Sequence, residues 1–208
     1  LLEHLVYATF RHNLDECRTH KISFTRPLDG ERFTGDEAFV QRTQVAQTNT
    51  VLLAARLRPF LESPDGALDA QLKIDLLDVN GEKQACEFSL DRDALDQLLA
   101  TRIERGVRAF LAELAQVQDD FPAGELVHVL LAGNGSRSRH VTRLFDAQSE
   151  TFRQLVGETF GDNPPELVIH PPLPMDEKHH HAPTAKTGVA LGLLALCPGE
   201  HVKLIDHV

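Results

Sequence analysis

Gly133, Asn134, Gly135, Ser136 and Arg137 follow directly on the apolar run Val127, Val129, Leu130, Leu131 and Ala132. A buried strand that runs into a glycine turn and then a helix is the build of a phosphate or nucleotide contact. Gly133 and Gly135 free the backbone to turn sharply and to approach a ligand without a Cβ in the way. Ser136 is placed to cap the helix that follows, whose unpaired N–H groups then face an anion. Two glycines fall short of the three-glycine dinucleotide fingerprint, and no Gly-Lys-Ser or Gly-Lys-Thr follows as a P-loop requires. On these residues alone the ligand stays open, and a plain strand-turn-helix with a tight turn stands beside nucleotide binding.

Other candidate chemistry is thinner. His179, His180 and His181, with His170 across the prolines, form a histidine-rich loop. Three successive histidines cannot all face one ion on regular backbone, and no cysteine or carboxylate pattern accompanies them, so a polar surface loop without metal is expected. Ser136 and Ser138 lack a Gly-x-Ser-x-Gly elbow, which removes the usual signal for a serine hydrolase. Asp69, Asp75 and Asp78 cluster around a predicted hairpin, where solvated strand and turn positions account for them.

The bulk composition bounds the function. The chain has 208 residues, 42% of them hydrophobic, enough for one sizeable core or two small ones. Its 21 basic and 31 acidic residues give a net charge of −10, which argues against a nucleic-acid or anionic-membrane partner, since both need a basic face. Cys17, Cys86 and Cys197 lie far apart and leave one unpaired in any intramolecular scheme, as expected of a reducing compartment. The apolar stretch from Gly188 to Leu196 is too short to span a bilayer, and Glu3 and His4 stand where a signal peptide would be basic. A cytoplasmic protein is expected. Leu1 in place of an initiator methionine, and the apolar run Val202 to Ile205 at the other end, suggest a piece of a longer chain.

The elements that must position the glycine turn read as follows. Leu2, Leu5, Val6, Thr9, Phe10 and Leu14 recur at helical spacing, which predicts a helix from Leu1 to about Cys17. Lys21 to Thr25 reads as a short strand, Arg26 to Glu31 as a turn, and Asp36 to Leu61 as helix in one or two pieces, with Pro59 a kink or an end. Ser63 to Gly66 is a turn. Leu68 to Leu77 and Gln84 to Leu90 form a hairpin about Asn80-Gly81. Ser89 or Asp91 caps a long helix to about Gln116. Beyond the glycine turn come a helix from Arg137 to about Phe160, a strand Leu167 to Ile169, a small-residue helix Thr184 to Leu196 and a last strand Val202 to Asp206.

This ordered set resembles the second lobe of the actin-like ATPase superfamily, and within it the seventy-kilodalton heat-shock chaperone family. The steps that carry the likeness are the helix Asn49 to Leu61, the hairpin Leu68 to Leu90, the long helix Asp91 to Gln116, the turn Val129-Leu-Leu-Ala-Gly-Asn-Gly-Ser-Arg137 and the helix Thr184 to Leu196. They cover roughly two-thirds of the chain. The resemblance implies a mixed α/β fold in two parts. Residues 1–95 would be a helix-plus-hairpin subdomain, joined by the long helix to residues 96–208, an incomplete α/β subdomain with the glycine turn.

The resemblance also implies a role for particular residues. Gly133, Asn134, Gly135 and Ser136 stand where the family's turn passes the phosphates and ribose of ATP or ADP. Arg137 stands where an arginine packs on the adenine face, a role that suits a guanidinium. Arg58 is the best match to the basic side of the pocket on the opposing helix. The family's phosphate loops, its first-lobe lysine and its acidic Mg²⁺ partners match nothing here. The chain would then be a non-catalytic part of an ATP-binding chaperone, with the first lobe of the same polypeptide and a protein client as its partners. Asn134 in place of a glycine, Gly135 in place of a serine, Arg139 in place of a proline, and Pro59, Glu62 and Ala55 around Arg58 depart from the pattern. They point to the alternative of an interaction module that keeps the architecture but has lost nucleotide. A third reading is an unrelated α/β enzyme that holds a phosphorylated substrate at Gly133.

Overall fold

The computed structural model describes residues 1–63, 65–118, 126–161, 164–173 and 184. The chain divides into two compact units, Leu1–Arg105 and Gly106–Val208. The division falls inside the long helix, ten residues beyond the expected boundary at residue 95 (105 − 95).

Helix α1, Leu2–His12, buries Leu5, Val6, Tyr7, Thr9 and Phe10 on the face that its apolar spacing predicts. It stops short of Cys17 because Asn13 leaves helical geometry, with φ −120° and ψ 35°. The Asn13 side chain is used elsewhere. Its Nδ2 donates to the carbonyls of Thr9 and Ser89, each at 2.8 Å, and its Oδ1 accepts from the Ser89 N–H at 2.8 Å and hydroxyl at 3.1 Å. Helix α2, Leu14–Thr19, then ends on Lys21 at φ +52°. The Ile22 N–H reaches the Cys17 carbonyl at 2.8 Å and the Lys21 N–H that of Arg18 at 3.3 Å, the closing bonds of a left-handed helix stop. Glycine usually takes that position; lysine holds it here. The expected strand Lys21 to Thr25 makes only single bridges, Ile22 to Asp78 and Phe24 to Val40.

Helix α3, Gln44–Glu62, starts later than its apolar pattern suggests, since Thr43 caps it by accepting from the Ala46 N–H at 3.2 Å. Upstream, Asp36–Ala38 is a single 3-10 turn. Pro59 neither ends nor opens α3 but sits inside it. The carbonyl it frees, on Ala55, is on the exposed side of the helix, so solvent can take the missing bond. Asn49, fully buried on the opposite side, donates to the carbonyls of Ser23 at 3.1 Å and Leu77 at 2.8 Å and accepts from the Leu77 N–H at 2.8 Å.

The hairpin forms as predicted. Strands β1, Gln71–Leu77, and β2, Lys83–Ser89, pair antiparallel from Gln71 opposite Ser89 to Leu77 opposite Lys83. Asn80 and Gly81 are not a two-residue turn. Gly81, at φ +81°, is instead the left-handed residue of a longer loop. The Asp78 carboxylate organises that loop by accepting from the N–H groups of Asn80 at 2.8 Å and Glu82 at 2.9 Å. Leu72, Leu76, Cys86 and Phe88 face a core shared with Leu5, Phe10, Phe24, Leu53, Leu57 and Phe60. Phe10 and Phe24 stack there at 5.3 Å.

Asp91, not Ser89, caps helix α4, Arg92–Gln116, through the Ala94 N–H at 3.0 Å. Leu95, Leu99, Ile103, Val107 and Leu111 repeat every fourth residue and are buried. In the second unit, β3, Val127–Leu130, pairs parallel with β4, Leu167–His170. Between them lie α5, Arg139–Leu144, and α6, Glu150–Phe160. The single helix expected from Arg137 to Phe160 is thus two. Asp146 and Ser149 break it, because Asp146 accepts from the Gln148 N–H at 3.0 Å and Ser149 caps α6 through Phe152 at 3.1 Å. Phe145 packs between Phe110 at 6.1 Å and Phe152 at 6.2 Å. The predicted helix Thr184 to Leu196, the His179–His181 loop and the strand Val202 to Asp206 lie outside the described residues, apart from Thr184.

The coarse fold is therefore mixed: helices with two small two-stranded sheets among the described residues. None of the described helices is long and apolar enough to cross a membrane.

Candidate functional site

The glycine turn lies at the carboxyl end of β3, the end of a parallel strand pair where α/β folds place their ligands. The strand itself is less enclosed than its apolar run predicts. Val129 is buried, but His128 is exposed and Leu130 is 71% exposed, so β3 is covered on one face only. Alternation along a strand sends Val129 to one side and its two neighbours to the other.

Gly133 and Gly135 do different work. Gly133 has φ +82° and ψ 162°, a backbone region that essentially only glycine enters. The turn needs a glycine there for its own geometry. Gly135 lies in the 3-10 segment Asn134–Arg137 and is not among the positive-φ glycines. No heavy atom of the described residues lies within 4 Å of where its Cβ would stand. Neither its conformation nor crowding by the described residues calls for glycine at that position.

Ser136 does not cap the following helix as expected. Its hydroxyl donates back to the Gly133 carbonyl at 2.6 Å, as does its own N–H at 3.2 Å, and this closes the turn on itself. Helix α5 begins at Arg139, after Ser138, and has no side-chain cap. Ser138 is 1% exposed, and its Oγ has no hydrogen-bond partner among the described residues. Arg137 is half-buried, and among the described residues no ion pair or hydrogen bond holds its guanidinium. Arg58 belongs to the other unit, on the exposed side of α3, paired with Glu62 at 3.2 Å. An exposed pair of this spacing contributes about 0.3–0.5 kcal/mol, too little to hold Arg58 away from a ligand.

Other chemistry finds little support in the geometry. Cys17 and Cys86 are buried free thiols, and desolvation pushes them up to about 12 and about 11. Thiols held protonated in this way are poor nucleophiles and poor metal ligands. Among the described residues no group of three or more His, Cys, Asp or Glu side chains is placed to hold a metal ion. Sequence reasoning missed one feature, the apposition of His128 and His170, whose ring nitrogens lie 2.8 Å apart across β3 and β4. It set His170 beside the later histidine run; the signal that would have found the pair is the β3–β4 register. Comparison of the chain with protein-family models, with curated proteins and with solved structures finds no match.

Proposed function

We propose that this chain supplies the adenosine side of a nucleotide cleft in a larger chaperone-like ATPase of the actin-like kind, and that it is not catalytic alone. Gly135 carries the reading. Gly106 and Gly157 have equally open surroundings, so what singles Gly135 out is its place in the turn at the carboxyl end of β3, where a glycine lets a ligand approach the backbone closely. No described residue crowds it, so a phosphate or ribose edge can come close to its backbone. The half-buried guanidinium of Arg137, two residues on and without a partner among the described residues, suits stacking on a purine, where cation–π and dispersion energies add.

When bound, ATP or ADP with Mg²⁺ would bring the phosphoryl chemistry, and the charges that serve it would come from the first lobe of the same polypeptide. The described residues here position and exclude: Gly133 shapes the turn, Ser136 locks it, Gly135 leaves room and Arg137 covers the base. Arg58, in the other unit, comes into the reading through the family likeness alone. The experiment is titration of the full-length polypeptide with ADP and with ATP, read as a shift in melting temperature, with Arg137→Ala and Arg58→Ala alongside. A shift in the wild type that Arg137→Ala abolishes supports the reading. No shift at millimolar nucleotide sinks it and leaves the alternative, an interaction module that keeps the architecture without the ligand.

A further inference from the structure

We propose that His128 and His170 form a two-imidazole site for a borderline divalent transition metal, of which Zn²⁺ is the type. The parallel register sets His128 beside Val168, and His170 lies two residues further along β4 and so on the same face. The nearest ring nitrogens, Nδ1 of His128 and Nε2 of His170, are 2.8 Å apart, and the rings overlap at 5.1 Å with 28° between their planes. Both residues are exposed, so an ion reaches them from solvent.

The geometry is close to that of a chelate. Imidazole nitrogens bind zinc at about 2.0–2.1 Å, so two of them on one tetrahedral ion stand about 3.3 Å apart. Opening the pair by about half an ångström admits the ion. The pair as it stands is a hydrogen bond in which one ring's N–H faces the other ring's lone pair. To bind, the donor ring shifts its proton to its other nitrogen, so both lone pairs face the ion and no proton is lost from the neutral pair. Imidazole suits zinc, copper and nickel, whereas the hard cations Mg²⁺ and Ca²⁺ prefer oxygen. With two protein ligands, water completes the coordination and the ion exchanges readily. Its structural effect is local: it fastens β3 to β4 where the Leu131 N–H already meets the His170 carbonyl at 3.0 Å, just before the glycine turn.

The test uses the whole chain with His179→Gln, His180→Gln and His181→Gln, so that the histidine run cannot supply the ion's ligands. Zinc chloride is titrated against a chromophoric chelator. The expected result is one zinc ion per chain in this background, with affinity lowered about tenfold or more by His128→Gln and equally by His170→Gln. Both substitutions are at exposed positions, and circular dichroism checks that each variant folds. A background protein that binds no zinc, or a single variant that keeps full affinity, overturns the proposal.

Discussion

Asn49 is the most exacting test of how the first unit is held together, because one buried amide there joins α3, the segment at Ser23 and the end of β1. Replacing it with alanine removes two donated bonds and one accepted bond, at 3.1, 2.8 and 2.8 Å. The part-buried Leu77 N–H loses its partner outright, and leaving such a donor unmet costs about 1–3 kcal/mol. The two carbonyls lose one bond each, for about 1 kcal/mol apiece. The sum is about 3–5 kcal/mol, a large share of the roughly 5–15 kcal/mol available to a folded domain. Urea denaturation followed by circular dichroism measures it, with Gln47→Ala on the exposed face of the same helix as a control expected within about 0.5 kcal/mol of wild type. Asn49→Asp adds a diagnostic. It keeps the acceptor for Leu77 but turns a carboxylate towards two carbonyl oxygens, so its deficit shrinks on acidification as the protonated form regains a donor. A loss below about 1 kcal/mol in Asn49→Ala would refute the reasoning.

Further predictions follow from single residues. Lys21→Gly relieves the left-handed backbone at the end of α2 and is expected to raise stability by about 0.5–1 kcal/mol in the same denaturation assay. The Asp78 carboxyl is held below the usual carboxylate range, first by the Glu82 N–H and then by those of Asn80 and the Gln84 amide. A carboxyl lowered in the folded state contributes stability that is complete above its unfolded pKa and is lost as pH falls through the folded value. Melting temperature should therefore fall on acidification below about pH 4, and Asp78→Asn should flatten that slope. Gly133→Ala, at a backbone position that only glycine tolerates, is expected to cost about 1–3 kcal/mol, whereas Gly135→Ala should be neutral or stabilising by up to about 1 kcal/mol.

Local periodicity carried the parts of the fold that local energies decide. Leu5, Val6, Thr9 and Phe10 announce α1, and alternation through Leu72, Ile74 and Leu76 announces β1. The break at Asn13 was not legible because a distant partner sets it, Ser89, whereas the start of α3 at Thr43 is a local cap on the Ala46 N–H that the wider apolar pattern from Asp36 obscured. Of the two outcomes open to Pro59, an end is ruled out because α3 runs on to Glu62, and the freed Ala55 carbonyl faces solvent, which is a tertiary fact. At the candidate site the sequence showed the turn but could not separate its two glycines. φ at Gly133 ties that glycine to the turn's own geometry, whereas Gly135 has a conformation open to any residue and no crowding from the described residues. The His128–His170 apposition depends on the β3–β4 register, which no short window of sequence contains.

The central claim is that Gly135 is kept for a nucleotide. Its most direct test is Gly135→Val in the full-length polypeptide, with ADP affinity and stability measured on the same samples. The claim predicts that the wild type binds ADP, and that the variant folds within about 1 kcal/mol of it but loses binding, since side-chain atoms then occupy the space the ligand needs. A wild type indifferent to ADP, or a folded Gly135→Val variant that binds as tightly as the wild type, contradicts it.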